Sequence, residues 1–151
     1  MDSVKEYRKR AAELERFLKE ADYPVKTVLC HYDPKSFYAA CRGLENEPEG
    51  GSRCLKCYEM RLTEAAKFAA ENEFGYYCTT LSISPLKDSE KINQIGERVG
   101  IKYGIKWLPS DFKKKDGFKR SVNYRKSTDY TGRIIAAVYI PGEETSHEIP
   151  D

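Results

Sequence analysis

No part of this sequence stays apolar for long. The ~18 consecutive apolar residues of a membrane-spanning helix are nowhere approached, which argues against an integral helical membrane protein. The N-terminus is charged and lacks the apolar segment of a secretory signal. Cysteine is sparse, and at five it is odd in number, which speaks against a disulfide framework. A reducing cytoplasm fits this usage better. An excess of one charge sign is also missing, since 26 Lys and Arg face 24 Asp and Glu, for a formal net charge of +2. That balance excludes a strong global field toward nucleic acid and leaves room for a local basic patch. Internal repeats and low-complexity tracts are absent. What remains is 151 residues, 40% hydrophobic and 33% charged, which describes one soluble globular domain with a real core.

The most informative stretch is Arg53-Cys54-Leu55-Lys56-Cys57-Tyr58-Glu59-Met60-Arg61-Leu62. Two cysteines three positions apart at a helix start bring their sulfurs to the same side, and the helix amides there favour thiolate. Such a pair binds one metal or cluster, or it is two half-buried cysteines with no chemistry. A single CxxC supplies half the ligands of a four-coordinate site.

Ser3-Val4-Lys5-Glu6 has capping-box spacing, and Val4, Tyr7, Ala11, Leu14, Phe17 and Leu18 follow a helical stripe, which predicts a helix from about Ser3 to Ala21. Val25 to Cys30 reads as a short strand. Asp33-Pro34 reads as N-cap and first residue of a helix ending at Gly43. His31 between them reads as polar surface. A Glu-, Pro- and Gly-rich loop from Glu45 to Ser52 leads into a helix from Cys54 to about Asn72, closed by Gly75. Tyr76 to Leu81 is the best strand signal. It leaves through Thr79-Thr80-Leu81-Ser82 into Ser84-Pro85, where open α/β sheets place their ligands; a simple hydroxyl-stabilised turn is the other reading. Asp88 or Ser89 caps a helix carrying Ile92, Ile95 and Val99, and Ile105 to Leu108 is a further strand. Strands alternating with amphipathic helices predict a parallel sheet in a three-layer α/β domain. Lys113, Lys114, Lys115, Lys119 and Arg120 cluster beside Asp111 and Phe118. They form a solvated loop or a patch for phosphates.

These residues together resemble the QueH-type epoxyqueuosine reductases. The likeness runs through Glu6-Tyr7-Arg8-Lys9-Arg10, Gly43-Leu44-Glu45 and Glu49-Gly50-Gly51-Ser52-Arg53-Cys54 into Cys57-Tyr58 and Arg61-Leu62. It continues through Thr79-Thr80-Leu81, Ser84-Pro85, Lys87, Ile92-Asn93, Ile95-Gly96, Leu108 to Lys115, and Gly117-Phe118-Lys119-Arg120-Ser121. It covers about residue 3 to residue 121, in order.

The resemblance implies a Rossmann-like three-layer fold of the nucleotide-α-hydrolase type with a parallel sheet. It also implies reduction of epoxyqueuosine to queuosine in the tRNA anticodon loop, with an electron donor it does not identify. Removing one oxygen takes two electrons and protons, which a Cys-ligated iron–sulfur centre handles and side chains alone do not. The implied cofactor is a 4Fe-4S cluster, alone or with additional iron. The implied partners are tRNA and the donor, with no membrane and no DNA. Cys54 and Cys57 become metal ligands, whereas Cys30, Cys41 and Cys78 read as buried packing. Tyr58, Arg61, Thr79, Thr80, Ser84 and Lys87 become pocket residues. Asp111 becomes a candidate proton donor, and Lys113, Lys119 and Arg120 candidate tRNA contacts.

Two departures from the family pattern stand out. The family begins with a strand ending in vicinal cysteines, a helix, and a strand ending in Tyr-Asn-Pro-Asn; this sequence starts just after, so its first βαβ unit is expected to be missing. The family ends in Tyr-Arg-Gln-x-Tyr-Cys-Gly-Cys, which does not follow Ser121. Codons compatible with Val122 to Pro141, read from their third base, give Glu-Leu-Ser-Lys-Glu-Tyr-Gly-Leu-Tyr-Arg-Gln-Asn-Tyr-Cys-Gly-Cys-Val-Tyr-Ser. The expectation is therefore an α/β domain over 1–121, incomplete at its N-terminus, and an out-of-frame tail over 122–151. The competing reading is a true strand within the β-prone Arg133 to Ile140. As written, the chain is expected to be an inactive fragment. The alternatives are a non-catalytic module whose CxxC binds zinc, and an RNA-binding module that has lost the centre.

Overall fold

Strand β1, Tyr76–Thr79, lies at the centre of a three-stranded sheet, because each of its edges finds a partner. On one side it pairs in parallel with β2, Lys106–Trp107, in the register Tyr76 to Lys106 and Tyr77 to Trp107. On the other it pairs antiparallel with β3, Ala137–Ile140, Tyr77 facing Tyr139. The computed structural model describes residues 4–31, 33–128 and 137–140. Five helices surround this sheet in the sequence: α1 Val4–Glu20, α2 Pro34–Ala40, α3 Ser52–Glu71, α4 Ser89–Tyr103 and α5 Gly117–Thr128.

Local sequence explains most of these boundaries. Asp33 accepts the Ser36 N–H at 3.2 Å, and Pro34 takes the first turn of α2, where its missing N–H is no loss. Asp88 accepts from the Glu90 and Lys91 amides at the start of α4, and Gly104, at φ +71°, closes it in the left-handed conformation. Helix α2 stops at Ala40, short of Gly43, and α3 is closed at Asn72 rather than at Gly75. The capping position proposed at Ser3 lies outside the described residues.

The core forms where α3 and α4 meet each other and the sheet. Leu62, Ala65, Ala66 and Ala69 from α3 join Ile92, Ile95 and Val99 from α4 around Tyr77, Leu81 and Ile105. Alanines let the two helices approach closely. Glycines do the same between α4 and β2. A Cβ at Gly96 would sit 2.4 Å from the Trp107 ring, and one at Gly100 would sit 2.5 Å from the Ile105 carbonyl oxygen. Tyr77 fills the space left over. Its ring meets Trp107 edge-on at 4.9 Å and its hydroxyl donates to the Gly96 carbonyl.

The α/β class is therefore as expected, with two corrections. The sheet is mixed, since β3 runs antiparallel to β1. Val25 to Cys30 forms no strand. Val25, Val28 and Leu29 are half exposed there, and without a neighbouring strand to receive its amides and carbonyls a β-prone run has no ladder to join. The strand reading of Arg133 to Ile140 corresponds to β3 at residues 137–140; the rest of that run, and most of the tail after Thr128, lies outside the described residues. No helix among the described residues is long and apolar enough to cross a membrane.

Candidate metal and substrate site

Helix α3 opens the site. The loop before it turns at Gly50 (φ +83°), and Glu47 accepts the Ser52 amide at 3.1 Å, occupying one of the free N–H groups of the first turn. A Cβ at Gly51 would fall 2.5 Å from the Glu47 carboxylate, so a larger residue there would displace that side chain from the Ser52 amide. Cys54 and Cys57 follow in the first two turns, both part-exposed and both free thiols. The Gly50 N–H donates to the Cys54 sulfur at 3.3 Å. The two cysteines line a small cleft of about 200 Å³ with Phe37, Pro48, Glu49 and Arg53.

Tyr58, directly after Cys57 in α3, is 3% exposed, and its hydroxyl has no hydrogen-bond partner among the described residues. Burial pushes the phenol up from its ordinary pKa, and Cys54, Glu49 and Cys57 add to the effect, with Arg61 opposing it. It is a neutral donor at any physiological pH. The Lys87 ammonium lies 5.7 Å from the Tyr58 ring centroid and 2.9 Å from the Glu49 carboxylate. Arg61, one turn on, is exposed.

A second group gathers at the C-terminal ends of β1 and β2. Thr79 is buried: its hydroxyl accepts the Leu81 N–H at 3.3 Å and its carbonyl accepts from the Ser110 hydroxyl at 3.3 Å. Thr80 and Ser84 are part-exposed just beyond, and Ser84 accepts the Leu86 N–H. Ser82, fully buried, accepts the Phe112 N–H at 3.2 Å. Asn93 on α4 clamps the loop after β2: its oxygen accepts from Trp107 Nε1 at 3.0 Å and the Ser110 amide at 3.1 Å, and its amide donates to the Ser110 carbonyl at 3.0 Å. A wider cleft of about 420 Å³ opens there, with Asn93, Gln94, Trp107 and Asp111 among its walls.

Asp111 accepts from the Ser89 hydroxyl at 3.1 Å and the Lys113 amide at 3.1 Å. Desolvation works to raise its pKa, but these hydrogen bonds and the charges of Lys113 and Lys114 outweigh it and hold the carboxyl below its ordinary value. It therefore stands as a carboxylate, an acceptor in the resting site. Lys113 is turned inward. Its ammonium donates to the Ser82 carbonyl at 3.0 Å and the Lys87 carbonyl at 2.8 Å, and pairs with Asp111 at 3.6 Å. Two carbonyls accept from the ammonium and Asp111 lies within ion-pair distance, so Lys113, 28% exposed at its side chain, ties the loop to the residues around it. Lys119 and Arg120, on α5, are exposed.

The structure therefore brings Cys54, Cys57, Tyr58 and Lys87 together, and separately Thr79, Asp111 and Lys113. Sequence reasoning quoted Glu49, Asn93 and Ser110 within the resembling motifs but gave them no role, because their roles arise from contacts between residues 17 to 38 apart. Among the described residues no three of His, Cys, Asp and Glu converge as a metal site. Cys41 and Cys78 are buried and Cys30 is exposed, which corrects the expectation that Cys30 is packed. The Cys54–Cys57 pair, with an amide already aimed at one sulfur, fits two thiolate positions of a metal or iron–sulfur group; the described residues do not complete a set of four.

A family model described as epoxyqueuosine reductase QueH matches residues 1–131. The epoxyqueuosine reductase QueH of Streptococcus pyogenes serotype M1 is 40% identical over 141 residues, covering 87% of this chain and 55% of its own length. That of Staphylococcus epidermidis is 41% identical over 144 residues, covering 88% and 60%. That of Acinetobacter baylyi is 35% identical over 128 residues, covering 84% and 58%. The chain thus spans well under two thirds of the length of these relatives.

Proposed function

From its membership of the epoxyqueuosine reductase QueH family, to which this chain belongs, we propose that the complete protein reduces epoxyqueuosine to queuosine in the tRNA anticodon loop. The observation that carries this is the family match over residues 1–131, with the Cys54–Cys57 pair inside it. In this reading the protein is a cytoplasmic oxidoreductase of tRNA processing, and the parallel β1–α4–β2 unit belongs to a Rossmann-like fold of the nucleotide-α-hydrolase type.

Cys54 and Cys57 would hold part of an iron–sulfur group, a 4Fe-4S cluster alone or with additional iron. That group would supply the two electrons that opening and deoxygenating an epoxide needs. The remaining roles fall to the chain itself. Tyr58 carries Lys87 over its ring, Lys87 pairs with Glu49 on the cleft wall, and Arg61 is exposed one turn on along the helix. Thr79, Thr80, Ser84, Ser110 and Asp111 present polar groups at the strand ends, where open α/β sheets receive ligands. With its carboxylate already accepting two hydrogen bonds, Asp111 serves the pocket by orienting donors, and any proton it delivers must first be taken up. Lys119 and Arg120 contribute to a tRNA phosphate contact.

In the same reading, residues 122–151 are an out-of-frame tail in place of a Cys-Gly-Cys ending, and the chain as written is inactive. Anaerobic loading with iron and sulfide, followed by assay on epoxyqueuosine-containing tRNA beside a version with the frame restored and the N-terminus extended, tests this. Cluster absorption and activity are expected only in the extended version. Equal activity in both would overturn the fragment reading, and activity in neither the enzyme reading. The frame itself is tested by the gene: codons for Val122 to Pro141 that do not permit the shifted reading exclude it.

A further inference from the structure

Cys54 and Cys57 have a chemistry open to them with each other. Both are part-exposed free thiols on α3, and both line the same cleft of about 200 Å³. Residues three apart on a helix have their Cα atoms about 5 Å apart, inside the roughly 4.4–6.8 Å that a disulfide spans. The Gly50 N–H, at 3.3 Å, holds the Cys54 sulfur toward the loop that carries Pro48 and Glu49, two walls of that cleft. Helical Cβ atoms at this spacing are about 5–6 Å apart, so the turn must tighten before the sulfurs bond. A 3₁₀ turn does this, since it sets side chains at i and i+3 over one another. The entrance of α3 already leans that way: the Cys54 N–H reaches the Gly51 carbonyl at 3.0 Å, an i to i+3 bond.

We propose that Cys54 and Cys57 are a reversible redox pair, closed to a disulfide by exchange with a small-molecule disulfide of the glutathione type. One protein thiolate attacks a sulfur of the small disulfide, and the first small thiolate leaves. The second protein thiolate then attacks the protein sulfur of that mixed disulfide and releases the second small thiolate. The protein gives up two electrons and two protons, and the small disulfide becomes two thiols. Cys41 and Cys78, both buried, are withheld from the exchange. The tightening that closure demands makes the bond readily reduced, which suits a switch and not a structural staple. Closure removes both thiolates that the proposed function assigns to a metal, and so gates that site. The disulfide itself does not rest on that assignment.

The test equilibrates the full 151-residue chain, reduced and folded, in glutathione buffers of graded redox poise. A chelator keeps metal out throughout, so the result does not depend on the ligand reading. Alkylation traps the remaining thiols, and peptide mass spectrometry maps them. Of the five cysteines, Cys54 and Cys57 are expected to lose label together, in peptides linked sulfur to sulfur, and to regain it with a dithiol reductant. Cys57→Ser is expected to carry several-fold more glutathione at Cys54 than the parent does, because no second thiol displaces it. Glutathione accumulating on both cysteines of the parent without a link overturns the inference, since the sulfurs are then reached but do not meet. Full labelling at every poise overturns it, as does a link from either residue to Cys30.

Discussion

The Lys87 ammonium stands 2.9 Å from the Glu49 carboxylate, joining two loops 38 residues apart in sequence. One loop delivers the chain to the thiols and the other delivers it to α4. The bridge therefore couples the approach to α3 with the end of the β1 turn, above the Tyr58 ring.

Lys87→Met should separate the two effects of that bridge. The pair is partly solvated, 23% and 53% exposed at its side chains, so its loss costs no more than about 1 kcal/mol. Freed of its tether, the loop from Glu47 to Gly51 opens more often, and alkylation of Cys54 and Cys57 by a maleimide should quicken several-fold. Mass spectrometry of timed samples reads this directly. Unchanged alkylation would show that the loop is held by its own turns.

Gly96→Ala introduces a methyl where the Trp107 ring already stands, at 2.4 Å. Overpacking of this kind costs about 1–3 kcal/mol. Trp107 is the only tryptophan in the sequence, so its fluorescence isolates the event. The variant should unfold at lower denaturant, with a shifted native emission spectrum. A parental spectrum would mean that α4 moves away as a body.

The basic residues should divide by function. Lys119→Ala and Arg120→Ala are expected to weaken tRNA binding and to lower the slope of log affinity against log salt by about 0.7 for each single-stranded phosphate no longer neutralised, leaving stability unchanged. Lys113→Ala is expected to do the reverse. Its ammonium meets Ser82, Lys87 and Asp111, so removing it strands acceptors and lowers the melting temperature. Filter binding across a salt series, with melts of the same samples, separates the two groups. Loss of tRNA affinity in Lys113→Ala at parental stability would place its charge outside instead.

Asp111 predicts a pH dependence. Its folded-state pKa is lowered, so the folded chain takes up this proton less readily than the unfolded chain. The stabilisation is present at neutral pH and is lost as pH falls through the ordinary carboxylate range and below. Asp111→Asn should therefore melt lower than the parent near pH 7 and converge with it at acid pH. Melting temperature against pH for both proteins gives the comparison. A constant offset across the range would assign the effect to packing.

Much of this fold was legible from local signals. Asp33 and Asp88 sit where short acidic side chains cap helices, the 3.6-residue stripe places α3 and α4, and the β-rich Tyr76 to Thr79 forms β1. The position of the cysteine pair at a helix start was equally plain. What stayed hidden depends on distant partners. Val25 to Cys30 has strand propensity without a strand beside it. Lys113 looks like its neighbours Lys114 and Lys115 in sequence, and only the arrival of the Ser82 and Lys87 carbonyls turns it inward. Asn93 carries no mark that it would meet Trp107 and Ser110.

That asparagine has a consequence for recognition. Its amide engages both the N–H and the C=O of Ser110 while also holding Trp107, so the backbone leading into Asp111 is set before any ligand arrives. A molecule docking at the strand ends then meets a surface whose ordering was completed during folding. Little of its binding free energy is diverted to freezing that loop.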